Sequence, residues 1–224
     1  IKDIFYSSNF NEVKKLVSEN NVKAQNEIKK STDKNVPLTG AQQRIFVLYD
    51  LLNKDATYHI TSAWQLKVSL QKDKLNDALG KVMKRHSILR TAFTFNEENG
   101  VFKQEIKENI DIQIEYESVK LAIKNIENYC KEELRTFIKP FELSNAPLFR
   151  MKVVSLSETR HLLFLDVHHI IFDGPSFQIF FKDILAYYSG KSLAPLKIQF
   201  KDFAHHTQKQ LIENQQKDFT EILE

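Results

Sequence analysis

The sequence predicts an α/β sandwich of the α+β kind, with helices flanking a mainly antiparallel or mixed sheet. Three observations predict it. From residue 36 onward, helical and strand periodicities interleave along the chain. Two pairs of strand-like segments are each joined by a short polar turn, as antiparallel neighbours are. The run Leu162–Val167, LLFLDV, is apolar enough to lie in the middle of a sheet.

The elements follow in order. Residues 1–20 have Ile4, Phe5, Phe10, Val13, Leu16 and Val17 at helical spacing and predict a short amphipathic helix. Residues 21–35 are polar and charged, a linker composition with little apolar surface to offset the entropy of ordering. The main domain is expected over residues 36–224. A helix runs from Thr39 to Asp50 with Ile45, Phe46, Leu48 and Tyr49 on its apolar side. Ser62–Leu70 alternates as a strand does, Trp64, Leu66 and Val68 against Ala63, Gln65 and Lys67. Asp73–His86 is a helix turning Leu75, Leu79 and Val82 inward. Leu89–Phe95 and Val101–Ile106 form a hairpin about Asn99-Gly100. Ile110–Tyr116 is a further strand and 120–138 a helix with Ile123, Ile126, Tyr129, Leu134 and Phe137. Leu148–Ser155 and His161–His168 are paired strands. Pro175–Tyr188 is a helix opening just after Gly174, and an amphipathic helix begins at Phe200.

Composition excludes several function classes. The net charge is +3 with both signs interspersed, and no basic stripe is interleaved with stacking aromatics, which argues against nucleic acid. Cys130 is the single cysteine, so no disulfide framework or cysteine-rich metal site forms within the chain, and a reducing, cytoplasmic setting is expected. No apolar run reaches the roughly 18 residues needed to span a bilayer. There is no nucleophile elbow, no phosphate-binding loop and no dinucleotide fingerprint. The 17 phenylalanines against one tryptophan suit a packed core.

The chemistry concentrates in Val167-His168-His169-Ile170-Ile171-Phe172-Asp173-Gly174. Two histidines close a buried strand, and a carboxylate and a glycine precede a helix. A strand end is where a rigid scaffold positions reactive groups, and histidine titrates nearest working pH. Gly174 permits a tight turn or a close approach of backbone to a ligand. Plainer roles compete: a structural histidine pair, and Asp173 as a helix cap. A metal site needs three or four ligands. His168, His169 and Asp173 supply too few, and His205 and His206 have no carboxylate at ligand spacing, so no metal is expected.

HHIIFDG resembles the HHxxxDG signature of nonribosomal peptide synthetase condensation domains, shared with chloramphenicol acetyltransferase. Four further segments are similar to that family's motifs, in the same order, over residues 36–210: PLTGAQQRIFVLYDL, KRHSILRTAF, PFELSNAPLFRMKVV and PLKIQFKDFAHHTQ. In the third, Glu142 replaces the usual Asp. In the last, Phe200, Phe203 and His206 hold aromatic positions. The resemblance implies the N-terminal, chloramphenicol acetyltransferase-like lobe of a two-lobed domain, the second lobe not being in this sequence. Residues 1–20 resemble the last helix of a carrier domain, preceding the linker.

The resemblance also implies the chemistry. A donor acyl thioester and the α-amine of an acceptor aminoacyl thioester are joined as an amide, both carried on 4'-phosphopantetheine arms of carrier domains. No cofactor is bound directly by the lobe itself. His169 is the implied catalytic residue, His168 orders the loop, and Asp173 pairs with an arginine of the second lobe. Gly174 keeps the tunnel open or offers its N–H to the oxyanion. Ser176 lies near substrate, and Arg85, His86 and Arg90 belong to a supporting motif. Pro175 stands where bulkier residues are usual. The implied partners are upstream and downstream carrier domains, an adenylation domain and the second lobe. The lone lobe is expected to be inactive and to self-associate through an exposed apolar face. Three other readings share parts of the signature: an epimerization domain, a CoA-dependent acyltransferase and a non-catalytic carrier-docking module.

Overall fold

The structure is a computed structural model that describes residues 27–110, 112–119 and 125–223, with side chains to residue 215. The helix expected over residues 1–20 lies outside the described residues. Residues 27–35 cross the surface as irregular chain. Ser31 N–H donates to Asp202 Oδ1 at 2.8 Å.

Helix α1 (Gly40–Leu51) starts from a reciprocal cap. Thr39 Oγ1 accepts the Gln42 N–H, and Gln42 Oε1 accepts the Thr39 N–H. A 3-10 turn at Ala56–Tyr58 leads into strand β1 (His59–Leu66). Helix α2 (Lys72–Arg85) buries Leu75, Ala78, Leu79, Val82 and Met83 along one stripe. Strands β2 (Thr91–Asn96) and β3 (Val101–Ile106) pair antiparallel, with Gly100 at φ 67° in the turn, a conformation that favours glycine. Strand β4 (Glu115–Ser118) precedes helix α3 (Ile126–Phe137). Then come β5 (Phe149–Ser157), β6 (Arg160–His168), α4 (Gly174–Tyr188) and α5 (Phe200–Leu223).

The main sheet has the order β1-β6-β5-β4, antiparallel except for the parallel pair β4–β5. β2 and β3 form a separate two-stranded sheet. Val36 bridges to Gln104, tying the start of the domain to this hairpin. Both faces of the main sheet are covered. Leu163, Leu165 and Val167 share one core with Leu79, Val82 and Met83 of α2 and Phe180 and Ile184 of α4. Leu162 and Phe164 point the other way, onto Phe137 of α3. That is why β6 reads as a continuous apolar run instead of alternating.

Three boundaries depart from the sequence reading. β1 begins at His59 and stops at Leu66, because its partner β6 spans only Arg160–His168 in register. Val68 lies beyond it, half exposed. Leu89 sits in a 3-10 turn (Ser87–Arg90), so the hairpin begins at Thr91. The strand expected at 110–116 forms at Glu115–Ser118, where β5 offers a parallel edge. Of the helix expected over 120–138, residues 120–124 lie outside the described residues.

On the α3 face, Lys152 is ringed by Glu115, Glu117 and Glu133. Burial opposes its charge, but the hydrogen bonds to Glu117, Glu133 and Glu115 outweigh that and hold its pKa above the ordinary lysine value. Cys130 sits beside this cluster. Burial, with Glu133 nearby, raises its thiol pKa, which suits a packing residue and not a nucleophile. Among the described residues, no helix is long and apolar enough to cross a membrane. α1 exposes Val47, Leu48, Leu51 and Leu52 side by side.

Candidate active site at the end of strand β6

The two adjacent histidines have opposite fates. β6 ends at His168, whose ring is fully buried; His169 begins the turn that follows and is exposed. Both faces of β6 are covered, so its last residue is enclosed, and the chain leaves the sheet at His169, whose side chain is exposed.

His168 packs edge-on to Tyr49 at 4.6 Å between ring centroids, near His59 and Phe141. Its Nδ1 accepts the Ile170 N–H at 3.2 Å, which assigns the ring proton of the neutral form to Nε2. Burial, with His59 and His169 close by, pushes its pKa down to about 3. A histidine neutral through the physiological range is a structural fixture of the loop. The folded pKa lies below the unfolded value near 6.5, so the unfolded state binds more protons between about pH 6.5 and 3. His168 therefore contributes stability above pH 6.5 that is lost as pH falls through that window, at up to about 1.4 kcal/mol per pH unit. Urea unfolding at pH 7 and pH 5 should show a larger loss for wild type than for His168→Asn, which keeps an acceptor for Ile170 and cannot titrate. Equal losses in the two proteins would contradict this.

The backbone around His169 is pinned at three groups besides the bonds within its turn. The His169 N–H donates to Tyr58 O at 2.8 Å, the Ile170 N–H to His168, and Ile170 O accepts from Gln42 Nε2 at 3.2 Å. The turn closes with Ile171 N–H on His168 O. The imidazole of His169 thus stands in the open on a fixed base.

Asp173 is the N-cap of α4. Its Oδ1 accepts the Ser176 N–H at 3.0 Å and the Ser176 hydroxyl proton, and Ser176 Oγ accepts the Asp173 N–H. The capping role weighed from sequence is therefore the one its contacts serve, and no arginine pairs with Asp173 among the described residues. The Ser176 hydroxyl is committed to the same cap. Of the two readings of Gly174, the tight turn is the one the backbone does not use. Gly174 is the first residue of α4 with no left-handed φ, and a Cβ there would meet nothing within 4 Å. The tight-turn reading fails because Asp173, in extended conformation, makes the turn into the helix.

Arg85, His86 and Arg90 brace the scaffold through their hydrogen bonds. Arg85 Nε donates to Asp183 Oδ2 at 2.9 Å and His86 Nε2 meets the same oxygen at 2.7 Å, clamping α2 to α4. Arg90 donates to the carbonyls of Met83, Lys107 and Glu108, holding the hairpin. His86 also lines an apolar groove of about 350 Å³ with Ile171, Phe172, Ile179, Phe180 and Ser176. The groove runs past the start of α4 and so adjoins the His169 turn.

Sequence reasoning missed a buried charged group behind the loop. Asp166 is 0% exposed; its Oδ1 accepts from His59 Nδ1 at 2.8 Å, and Arg150 Nη1 lies 3.1 Å from its Oδ2. Arg150 also donates to Phe137 O and Lys139 O and covers the Phe141 ring at 3.9 Å. Burial lowers the Arg150 pKa against the pull of Asp166. His59 stacks on Phe141 and faces His168 across the β1–β6 register. The available signal was an aspartate inside an apolar strand, since a buried carboxylate needs a partner.

The condensation-domain family model matches residues 32–221. Bacitracin synthase 2 of Bacillus licheniformis is 35% identical over 206 residues, covering 91% of this chain and 8% of that synthetase. Surfactin synthase subunit 2 of Bacillus subtilis (strain 168) is 37% identical over 188 residues, 84% of this chain and 5% of that protein. The chain thus spans under a tenth of the length of these relatives. Among solved structures, the X-domain from teicoplanin biosynthesis, in complex with OxyB, superimposes with a TM-score of 0.74 at 28% identity, covering 85% of this chain and 42% of that one. The first condensation domain of the calcium-dependent antibiotic synthetase gives 0.64 over 73% of this chain and 40% of that one at 21% identity, a likeness of fold. By the family model and by identity over most of its length, this chain belongs to the condensation-domain family.

Proposed function

We propose that the chain forms the histidine-bearing lobe of a site that joins a donor acyl or peptidyl thioester to the α-amine of an acceptor aminoacyl thioester. The carrying observation is the contrast within the histidine pair: His168 is buried and neutral, and His169 is exposed on a pinned backbone. Both substrates ride on 4'-phosphopantetheine arms of carrier domains, upstream and downstream, with an adenylation domain supplying the activated residues. The second lobe of the domain closes the site over His169 and covers apolar surface such as that of α1.

The chemistry needs little from the lobe. An α-amine has a pKa near 8, so about a tenth is neutral at pH 7. Its nitrogen attacks the thioester carbon, the adduct sheds a proton from nitrogen as the C–S bond breaks, and the departing thiolate takes up a proton in turn, so that amide and thiol are formed with no net proton change. His169 takes that proton, or holds the amine where its lone pair meets the carbon. Asp173 and Ser176 act by fixing the start of α4. The groove beside Ser176 is apolar and accommodates substrate surface next to the histidine.

The likeness to an X-domain solved with OxyB favours a second reading, in which the lobe docks a protein partner without catalysing. One experiment separates the readings. The intact synthetase carrying this chain, with donor and acceptor carriers loaded, is followed by mass spectrometry of the acceptor carrier. Dipeptidyl-carrier should accumulate, and the isolated 224-residue chain should make none. Exchange of the α-proton of one loaded residue without dipeptide would replace this reading with epimerization. Transfer from acyl-CoA without carriers would indicate a CoA-dependent acyltransferase. No reaction of any kind would favour the docking reading.

A further inference from the structure

We propose that Gln42 is a positioning residue for His169, a role that rests on the reading of His169 above. Gln42 is 3% exposed, 128 positions from its partner in the loop, and bound at both ends of its amide. Its Nε2 donates to Ile170 O at 3.2 Å. Its Oε1 accepts from the Thr39 N–H at 3.1 Å, from Thr39 Oγ1 at 3.3 Å and from Gln104 Nε2 at 3.1 Å. Gln104, itself buried, donates from the same nitrogen to Pro37 O at 2.7 Å. These contacts orient the amide: with Oε1 saturated by donors, Nε2 is the end that faces Ile170.

The consequence falls on His169. Of the three pinned groups around it, two are held by the end of β6 and by the 3-10 turn before β1, through His168 Nδ1 and Tyr58 O. The third, Ile170 O, is held by Gln42 alone among the described residues. It belongs to the residue directly after His169, so the bond fixes the course of the chain leaving the histidine. Gln42 stands in the first turn of α1, whose start is locked by the Thr39 cap. Helix α1 and the β2–β3 hairpin are thereby coupled to the orientation of one exposed imidazole. Losing the bond leaves a buried carbonyl unpaired, and the loop relaxes toward another partner. Displacing a reacting group by about 1 Å costs on the order of 10²-fold in rate.

The test is a double-mutant cycle in the intact synthetase with loaded carriers, reading single-turnover formation of dipeptidyl-carrier. The proteins are wild type, Gln42→Met, His169→Ala and the double variant. Gln42→Met should lower the chemical step by about 10²-fold, with the concentration of acceptor carrier needed for half-maximal rate unchanged. In the His169→Ala background the same change should cost nothing further, because it acts through the imidazole. If Gln42→Met does not fold, Gln42→Glu at pH 8 keeps the side-chain length and removes the donor. An equal fold-loss in both backgrounds would mean a general structural role and overturn the proposal. A normal rate in Gln42→Met would overturn it too. If His169→Ala alone costs nothing, the reading of His169 falls and this proposal with it, and the single variant shows that by itself.

Discussion

Asp166→Ala should destabilise the chain by about 1–3 kcal/mol, the cost of leaving a buried donor without its acceptor. The carboxylate is fully enclosed, and its oxygens are the meeting point of His59 and Arg150. Taking it away removes the carboxylate facing the Arg150 guanidinium and leaves His59 Nδ1–H, 1% exposed, without an acceptor. His59 cannot turn to water without opening the sheet, since it is stacked on Phe141 and Phe141 is gripped by Tyr49, whereas the Arg150 side chain is 26% exposed and keeps its bonds to Phe137 O and Lys139 O. The Tyr49 hydroxyl donates to Phe141 O and accepts the Phe141 N–H, both at 2.9 Å. Asp166→Asn keeps an oxygen for His59 and loses only the charge facing Arg150, so its cost should be clearly smaller. Urea unfolding of the three proteins measures this. A loss below about 1 kcal/mol for Asp166→Ala would mean that water reaches the pair, as for exposed ion pairs.

The same variant touches the active loop. His59 faces His168 across the register, and its neighbour Tyr58 accepts the His169 N–H. The charged group is therefore the underside of the platform that presents His169, and loss of stability and loss of activity should appear together in Asp166→Ala.

Local pattern made much of this legible before any coordinates. The apolar run of β6, the stripe of α2, the Asn99-Gly100 turn and the Asp173 cap are encoded within a few residues, and each forms where its pattern places it. What escaped was non-local. His59 reads as a polar interruption ahead of a strand. It is the first residue of β1 through its pairing with His168, and its buried ring is satisfied by Asp166, 107 positions away. Gln42 reads as one polar residue of an amphipathic helix, and its bond to Ile170 has no local trace. The displaced β4 follows from pairing as well: a short parallel edge is fixed by β5 and not by its own alternation. The tight-turn reading of Gly174 fell for the opposite reason, since the left-handed φ a glycine permits is not used there.

His169→Ala should lower amide formation by about 10²–10⁴-fold, the usual span for a positioned proton acceptor. The fold should be unaffected, because the ring is exposed and makes none of the contacts that brace the loop; the backbone N–H of His169, not its ring, binds Tyr58. His168→Asn gives the complementary pattern, lost stability with a smaller kinetic effect, because that ring is buried behind the turn. The two variants are thus expected to separate stability from catalysis one residue apart. The most direct measurement is the rate of dipeptidyl-carrier formation by the intact synthetase, with both carriers loaded, in wild type and in His169→Ala. A fall of at least two orders of magnitude, at unchanged folding and carrier binding, is the predicted result. Equal rates in the two proteins would contradict it and leave positioning by the rest of the site as the source of catalysis.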